Sequence, residues 1–441
     1  MGYPKQENQI LSLQIHGLGS GGEGVGHHNG YTIFVDGALP GEEVKARLTE
    51  CRKRYGFAKL LSITKPSPDR VNPPCKLFGR CGGCQIMHLS YAKQLEIKRQ
   101  KVVDALTRIG HLECEVLPCI PSPSPLAYRN KIQLPAKKTQ TGISLGLYAR
   151  GSHDLVEVDT CPIHCHLGES VYQIIRRLIQ KSTIEGLRHV LIKSAIHTGE
   201  VLVVLVTNTK PSPPLIELAK TIFVSTSSVK GVIHNLHNGK ENVILGNATE
   251  VLAGEGCIQE RLCDLTFRIS PASFFQVNPL QAEHLYKKAL EAANLQAEDI
   301  VLDAYCGVGT LSLIFAKKAS RVIGVEYVPE AIEDAKKNAA INQINNVSFV
   351  CAASEEFITS ISYVDVIILN PPRKGCEPSF LEGIKKLQPK KIVYISCDPA
   401  TLARDLSYLS SIGYTIDYVQ PFDMFPQTSH VECIVKLTNS K

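Results

Sequence analysis

The spacing of apolar and polar residues changes character along the chain, and each change marks a different kind of element. From Leu11 to His16 the two alternate, as in a strand with one buried face. A glycine-rich stretch from Gly17 to Gly30 reads as a turn, after which Tyr31-Thr32-Ile33-Phe34-Val35 resumes the alternation. Val44 to Leu48 and Phe57 to Ile63 read as two further strands, joined across the basic turn Arg52-Lys53-Arg54-Tyr55. Short strands separated by glycine predict a small β-barrel over residues 1–64. Lys65-Pro66-Ser67-Pro68-Asp69-Arg70 then reads as a linker.

Residues 65–261 are less regular and predict a central α+β domain. A helix with many lysines is expected from Tyr91 to Ile109, another around 168–180, and strands at 189–196 and 201–207. Proline clusters at Pro121–Pro125 and Pro211–Pro214 punctuate this region, and the second is expected to break the domain internally. From 262 to 441 strands and helices alternate, which predicts a mostly parallel sheet in an α/β domain. Its strands are expected at Asp299 to Ala304, Arg321 to Glu326, Val347 to Cys351, Asp365 to Leu369 and Lys391 to Ile395.

A chain of 441 residues is too long for one ordinary core, so two or three domains are expected. The composition, 44% hydrophobic and 20% charged, is that of a soluble protein. No apolar run reaches membrane-spanning length, and Met1 to Ile10 is polar, with no signal-peptide segment. A cytoplasmic location follows as an expectation. There fifteen cysteines are poor disulfide candidates, so some should bind metal or act in catalysis. The basic excess is confined to residues 1–110, with sixteen Lys/Arg against nine Asp/Glu, as expected of a region that meets a polyanion.

Four motifs carry chemistry. In Val301-Leu302-Asp303-Ala304-Tyr305-Cys306-Gly307-Val308-Gly309-Thr310, a strand passes through a glycine turn into a helix, the geometry of a nucleotide crevice. Glu326 ends the next strand, where a carboxylate can accept both ribose hydroxyls. The loop lacks the full dinucleotide fingerprint, which favours S-adenosylmethionine. In Leu369-Asn370-Pro371-Pro372-Arg373 two prolines stiffen a rim that can grip a planar base. Cys75, Cys81 and Cys84, with Cys161-Pro162 downstream, can hold an iron–sulfur cluster or a structural zinc, and Cys165 competes as fourth ligand. Finally, Cys397 sits between a strand and a helix N-terminus whose partial charge favours a thiolate nucleophile. Glu432, among apolar strand residues, should be desolvated into a useful proton acceptor, with His430 on the same strand face.

Together these residues resemble RNA uracil-5-methyltransferases of the RumA type. The fingerprint comprises Cys75, Cys81, Cys84 and Cys161, Phe274-Phe275-Gln276-Val277-Asn278, the Asp303–Gly309 loop, Pro371-Pro372-Arg373, Ser396-Cys397-Asp398-Pro399 and His430-Val431-Glu432. The resemblance covers nearly the whole chain. It implies a Rossmann-like S-adenosylmethionine methyltransferase domain, preceded by an RNA-binding TRAM barrel over 1–64 and a central iron–sulfur domain. It implies a 4Fe-4S cluster on Cys75, Cys81, Cys84 and Cys161. Donor contacts are implied at Gln276, Tyr305, Glu326 and Asn370, with Cys397 as nucleophile and Glu432 as base. Members with both a barrel and a cluster tend to modify ribosomal RNA, which points to 23S rRNA. A monomer is the default for a chain that binds so large a partner.

Two positions depart from the family pattern. Asn370 stands where an aspartate is usual, and Ala353 stands near the expected acidic contact to adenine. Asparagine still accepts a hydrogen bond but carries no charge. Three other readings stay open at this point. One is a transfer-RNA uridine methyltransferase. The second is an amino-group methyltransferase using Asn370-Pro371-Pro372, in which Cys397 would be dispensable. The third is a non-catalytic RNA-binding relative.

Overall fold

The computed structural model describes residues 8–140, 142–180, 182, 184–239 and 243–440. Two compact units emerge from the contacts. One holds Met1–Lys98, Tyr148–Val156 and Phe425–His430; the other holds Arg99–Leu147, Glu157–Met424 and Val431–Lys441.

The first unit contains a closed barrel. Its strands β1 (Ile10–Leu18), β2 (Gly24–His28), β3 (Tyr31–Asp36), β4 (Glu43–Cys51) and β5 (Tyr55–Lys65) close in the order β1-β2-β3-β5-β4. Leu11, Leu13, Ile15, Ile33, Val35, Val44, Ala46 and Leu48 point inward and fill it. One expectation is corrected here, because the stretch read as a turn, Gly17 to Gly30, contains β2. Its inward positions are glycines, so the alternation has no apolar signal. A Cβ on Gly24 would lie 2.8 Å from the Ala38 carbonyl, and one on Gly26 would lie 3.0 Å from that of Gln14.

The expected linker after β5 is tied down as well. Glu42 is fully buried. It accepts hydrogen bonds from Arg70 Nε at 2.6 Å and Nη2 at 2.9 Å, from the Leu39 N–H at 2.8 Å and from the Ser67 N–H at 3.3 Å. Burial pushes the Glu42 carboxyl up, but the Arg70 and backbone donors outweigh it and hold it below the usual carboxylate range.

The second unit holds two seven-stranded sheets and, between them in sequence, the two-stranded hairpin Ile258–Leu262 with Leu265–Ile269. Strands Leu187–Ala195, Glu200–Thr207 and Val229–Leu236 lie at the apolar centre of the first, which has seven strands. Helices His166–Ile179 and Pro213–Ser225 pack against them. The prolines at 211–214 do not break the domain. Pro213 and Pro214 open a helix after Ser212, in the one turn where a missing N–H costs nothing. The lysine-rich helix spans Tyr91–Ala105 and ends in a π turn, Leu106–Gly110, closed by left-handed His111.

The second sheet also has seven strands: Ile300–Asp303, Arg321–Glu326, Val347–Cys351, Val366–Leu369, Lys391–Ser396, Tyr414–Phe422 and Glu432–Asn439. They stand in the order third, second, first, fourth, fifth, seventh, sixth. The first five are parallel, and the seventh runs antiparallel to both its neighbours. The carboxyl ends of the first five strands therefore share an edge with the beginning of the seventh. Among the described residues no helix is long and apolar enough to cross a membrane.

The Glu42 clamp generates a prediction. Arg70→Ala leaves a buried carboxylate with its cationic partner removed and should cost about 3 kcal/mol, measured as a fall in the thermal midpoint. Because the folded pKa of Glu42 is depressed, the wild-type clamp contributes fully at neutral pH and is lost as pH falls through that folded value. The difference between wild type and Arg70→Ala should therefore narrow in acid.

Candidate active site

The crevice begins at the first strand. Gly307 (φ 53°) and Gly309 (φ 82°) turn the chain from Asp303 into helix Thr310–Ala316. A Cβ on Gly309 would lie 2.9 Å from the Phe349 ring, so the turn admits no larger residue. Asn338 Nδ2 donates to the Val308 carbonyl at 3.0 Å and holds the loop from behind. Asp303 is fully buried, accepts from Ser312 Oγ at 2.6 Å, and is pushed up to about 6 by that burial. Glu326 accepts from the Gly307 N–H at 3.2 Å and the Val328 N–H at 3.1 Å, which fixes its carboxylate at the strand end.

A cavity of about 290 Å³ opens at this edge, with Tyr305, Glu326, Tyr327, Ala353, Glu355 and Lys374 among its walls. It brings together Tyr305 and Glu326 of the four expected donor contacts; Gln276 and Asn370 are not part of its lining. Gln276 is buried beside Tyr286, and Asn370 follows the fourth strand. Ala353 does face the cavity. Glu355, two residues on, returns a carboxylate to the same wall.

The catalytic candidates meet through sheet register. Ser396 pairs with Cys433 in the antiparallel ladder, so the next positions outward are Cys397, one residue past its strand, and Glu432, the first residue of the other. Glu432 is 4% exposed. Burial pushes its carboxyl up to about 8, and Arg373 pulls it down. Burial also lifts the Cys397 thiol to about 11, followed by the Glu432 charge, with Arg373 again opposing.

The expectation of a helix-stabilised thiolate is thus corrected. Asp398 caps helix Pro399–Ser411 and takes the Ala400 and Thr401 N–H groups at 2.9 and 3.1 Å, so these donors face its carboxylate rather than Cys397. His430 is also reassigned. The strand begins at Glu432, and the His430 ring lies edge-on to Phe425 in the first unit.

Sequence reasoning missed Arg373 as the cation facing both groups, and it missed the side chains that hold it. The Arg373 carbonyl accepts from Thr401 Oγ1 at 3.1 Å. Asp405 is fully buried and accepts from the Tyr394 hydroxyl at 2.6 Å, the Cys376 N–H at 2.8 Å and Arg404 Nε at 2.8 Å. Arg404 Nη2 then donates to the Lys374 and Cys376 carbonyls at 3.0 and 3.2 Å. The available cue was one of chemistry: the adjacent charged pair Arg404-Asp405 inside helix Pro399–Ser411.

The cysteine motif lies mostly on one loop of the first unit. The Phe78 N–H donates to the Cys75 carbonyl at 3.2 Å, the Cys81 N–H to that of Leu77 at 2.9 Å, and the Gly83 N–H to Cys81 Sγ at 3.4 Å. Cys161 belongs to the second unit. Cys165, its competitor, is buried and already caps a helix, accepting from the Gly168 N–H at 3.3 Å. Among the described residues no group of three or more His, Cys, Asp or Glu is gathered closely enough to hold a metal ion.

The strand order, the reversed seventh strand and the carboxylate after the glycine turn define a methyltransferase of the S-adenosylmethionine-dependent class. Residues 90–440 match the model of the tRNA (uracil-5-)-methyltransferase family and residues 4–61 match the TRAM domain, and the chain belongs to that RNA-methylating enzyme family. It is 44% identical to an RNA methyltransferase of Clostridium tetani, over 99% of this chain and 97% of the relative. It is 42% identical to one of Oceanobacillus iheyensis, over 99% and 98%. Among solved structures, it resembles the Pyrococcus abyssi tRNA (uracil-54, C5)-methyltransferase in complex with S-adenosyl-L-homocysteine. That match has a TM-score of 0.78 at 32% identity and covers 97% of this chain and 99% of the other.

Two outcomes follow from this geometry. Asp405→Ala, which frees the 372–377 wall of the cavity, should raise the KM for the methyl donor about ten-fold, with partial recovery in Asp405→Asn. Arg373→Ala removes the charge that lowers both Cys397 and Glu432, so the rising limb of the pH–rate profile should move to higher pH.

Proposed function

We propose that this enzyme methylates carbon 5 of a uridine in RNA, with 23S ribosomal RNA as substrate, using Cys397 as nucleophile and Glu432 as base. The observation that carries the reading is the ladder register that sets a buried carboxylate beside a thiol at the sheet edge where the cavity opens. Carbon 5 of uracil is a weak nucleophile. Addition of Cys397 Sγ to carbon 6 makes carbon 5 enolate-like, and the thiol proton passes to solvent as the bond forms, leaving Glu432 ionised. S-adenosylmethionine supplies an electrophilic methyl group on a sulfonium sulfur. Carbon 5 takes that methyl, Glu432 removes the carbon-5 proton, and the re-formed double bond expels the Cys397 thiolate. Arg373 stabilises whichever of the two protein anions is present. Since Glu432 must be ionised to act, turnover should rise as pH approaches about 8.

Gln276, Tyr305, Glu326 and Asn370 are assigned to the donor, with the domain limits 1–64, 65–261 and 262–441. Asn370 contributes an amide oxygen where a charge is usual. The base must leave its stack to meet Cys397, while the basic first unit holds the surrounding backbone.

A 4Fe-4S cluster on Cys75, Cys81, Cys84 and Cys161 is part of the proposal. Support comes from the N–H directed at Cys81 sulfur, the donation a bound thiolate accepts, and from the prior engagement of Cys165 as a helix cap. Its role would be structural, as no step needs an electron. Iron and sulfide analysis of anaerobically purified protein distinguishes it from zinc.

A transfer-RNA substrate is the second reading, favoured by the full-length likeness to the Pyrococcus abyssi enzyme. Incubation with labelled S-adenosylmethionine and each unmodified RNA, followed by nucleoside analysis, separates the two. 5-Methyluridine should form in ribosomal RNA and vanish with Cys397→Ala, while Glu432→Gln should slow turnover by about 10²–10⁴-fold. A methylated amine, or full activity in Cys397→Ala, would overturn the mechanism.

A further inference from the structure

The barrel carries an aromatic cluster that its core does not use. Strand alternation sends Tyr31, Ile33, Val35 and Ala58 inward, while Phe34 on β3 and Tyr55 and Phe57 on β5 stand on the outer face, half-buried only. The parallel register sets Phe34 directly beside Phe57. The three rings form one patch, with centroids 5.6 Å apart for Phe34–Tyr55, 5.6 Å for Phe34–Phe57 and 5.7 Å for Tyr55–Phe57. Arg52 lies over two of them, its guanidinium carbon 5.5 Å from the centroids of both Tyr55 and Phe57. Nε of that guanidinium is held at 2.6 Å by Glu50 and Nη1 at 2.9 Å by the Tyr55 hydroxyl, so it is presented in one pose. Lys53 and Arg54 follow immediately in the β4–β5 turn, in the part of the chain that holds the whole basic excess.

We propose that Phe34, Tyr55, Phe57 and Arg52 form a stacking platform for unpaired bases of the RNA substrate, with Lys53 and Arg54 holding the adjoining phosphates. The inference rests on the proposed RNA substrate and names where this unit grips it. Every base has a π-face, so such a platform tolerates sequence and selects single-stranded segments over duplex. Charge complementarity chooses RNA over an apolar protein partner. An apolar protein strand or helix seated on three rings would offer no anionic partner to Lys53 and Arg54, which follow the patch directly.

The chain contains no tryptophan, which makes a direct test possible. Tyr55→Trp in the full-length protein places a sole indole in the patch. Titration with single-stranded oligouridine should quench its fluorescence, and the apparent affinity should fall as salt rises. A duplex of equal length should quench far less. Phe57→Ala in the same background should weaken oligouridine binding on the order of ten-fold. Its thermal midpoint, compared with that of Tyr55→Trp alone, shows whether the barrel is still folded. Indole fluorescence unmoved by RNA that the wild-type protein binds and methylates would overturn the platform and leave the proposed reaction standing. Quenching by RNA in a protein that forms no 5-methyluridine would support the platform and overturn the reaction instead.

Discussion

A single buried carboxylate holds the catalytic edge together. Asp405 has no exposed surface, and it bonds at once to the fifth strand through Tyr394, to the loop after the fourth strand through Cys376, and to its own helix through Arg404. Burying a charge is tolerable only when its lone pairs are satisfied, and these three donors satisfy them. The consequence is geometric. The loop that walls the donor cavity and carries Arg373 cannot move independently of the strand and helix that flank Cys397. The cavity and the proposed nucleophile Cys397 are thereby fixed to one frame.

The sheet supplies the rest of that frame. Five parallel strands bring Asp303, Glu326, Asn370 and Cys397 to one edge, as their carboxyl ends must. A general base for the same edge could come only from another carboxyl end or from the start of a reversed strand. The seventh strand is reversed, and it begins with Glu432. The low-dielectric setting created by that packing is what raises both the carboxyl and the thiol. Burial thus favours the protonated form of each group, and the Arg373 charge opposes it in both.

Much of this was legible in the sequence. The second and third strands of the methyltransferase sheet, Arg321–Glu326 and Val347–Cys351, begin and end where the sequence places them, and the interior fourth and fifth, buried on both faces, stand out as near-continuous apolar runs of Val, Ile, Leu and Tyr. Strand β2 was not legible, since Gly24 and Gly26 occupy its inward positions and carry no apolar signal. The state of Cys397 was misread for a reason that lies in three dimensions. The helix N-terminus is present as expected, but Asp398 takes its donors, and burial beside Glu432 then decides the protonation of the thiol. Arg373 and Asp405 were invisible as partners because their importance comes from a loop and a helix that are distant in sequence and joined only by packing.

The central claim is that Cys397 forms a covalent bond to the base during methyl transfer. RNA in which uridine is replaced by 5-fluorouridine tests it most directly, because after methylation carbon 5 carries no proton for Glu432 to remove and the adduct cannot resolve. With S-adenosylmethionine present, mass spectrometry of the digested complex should find a methylated fluorouridine attached to the peptide containing Cys397. Active enzyme that yields no adduct, or an adduct on a different residue, would contradict the account.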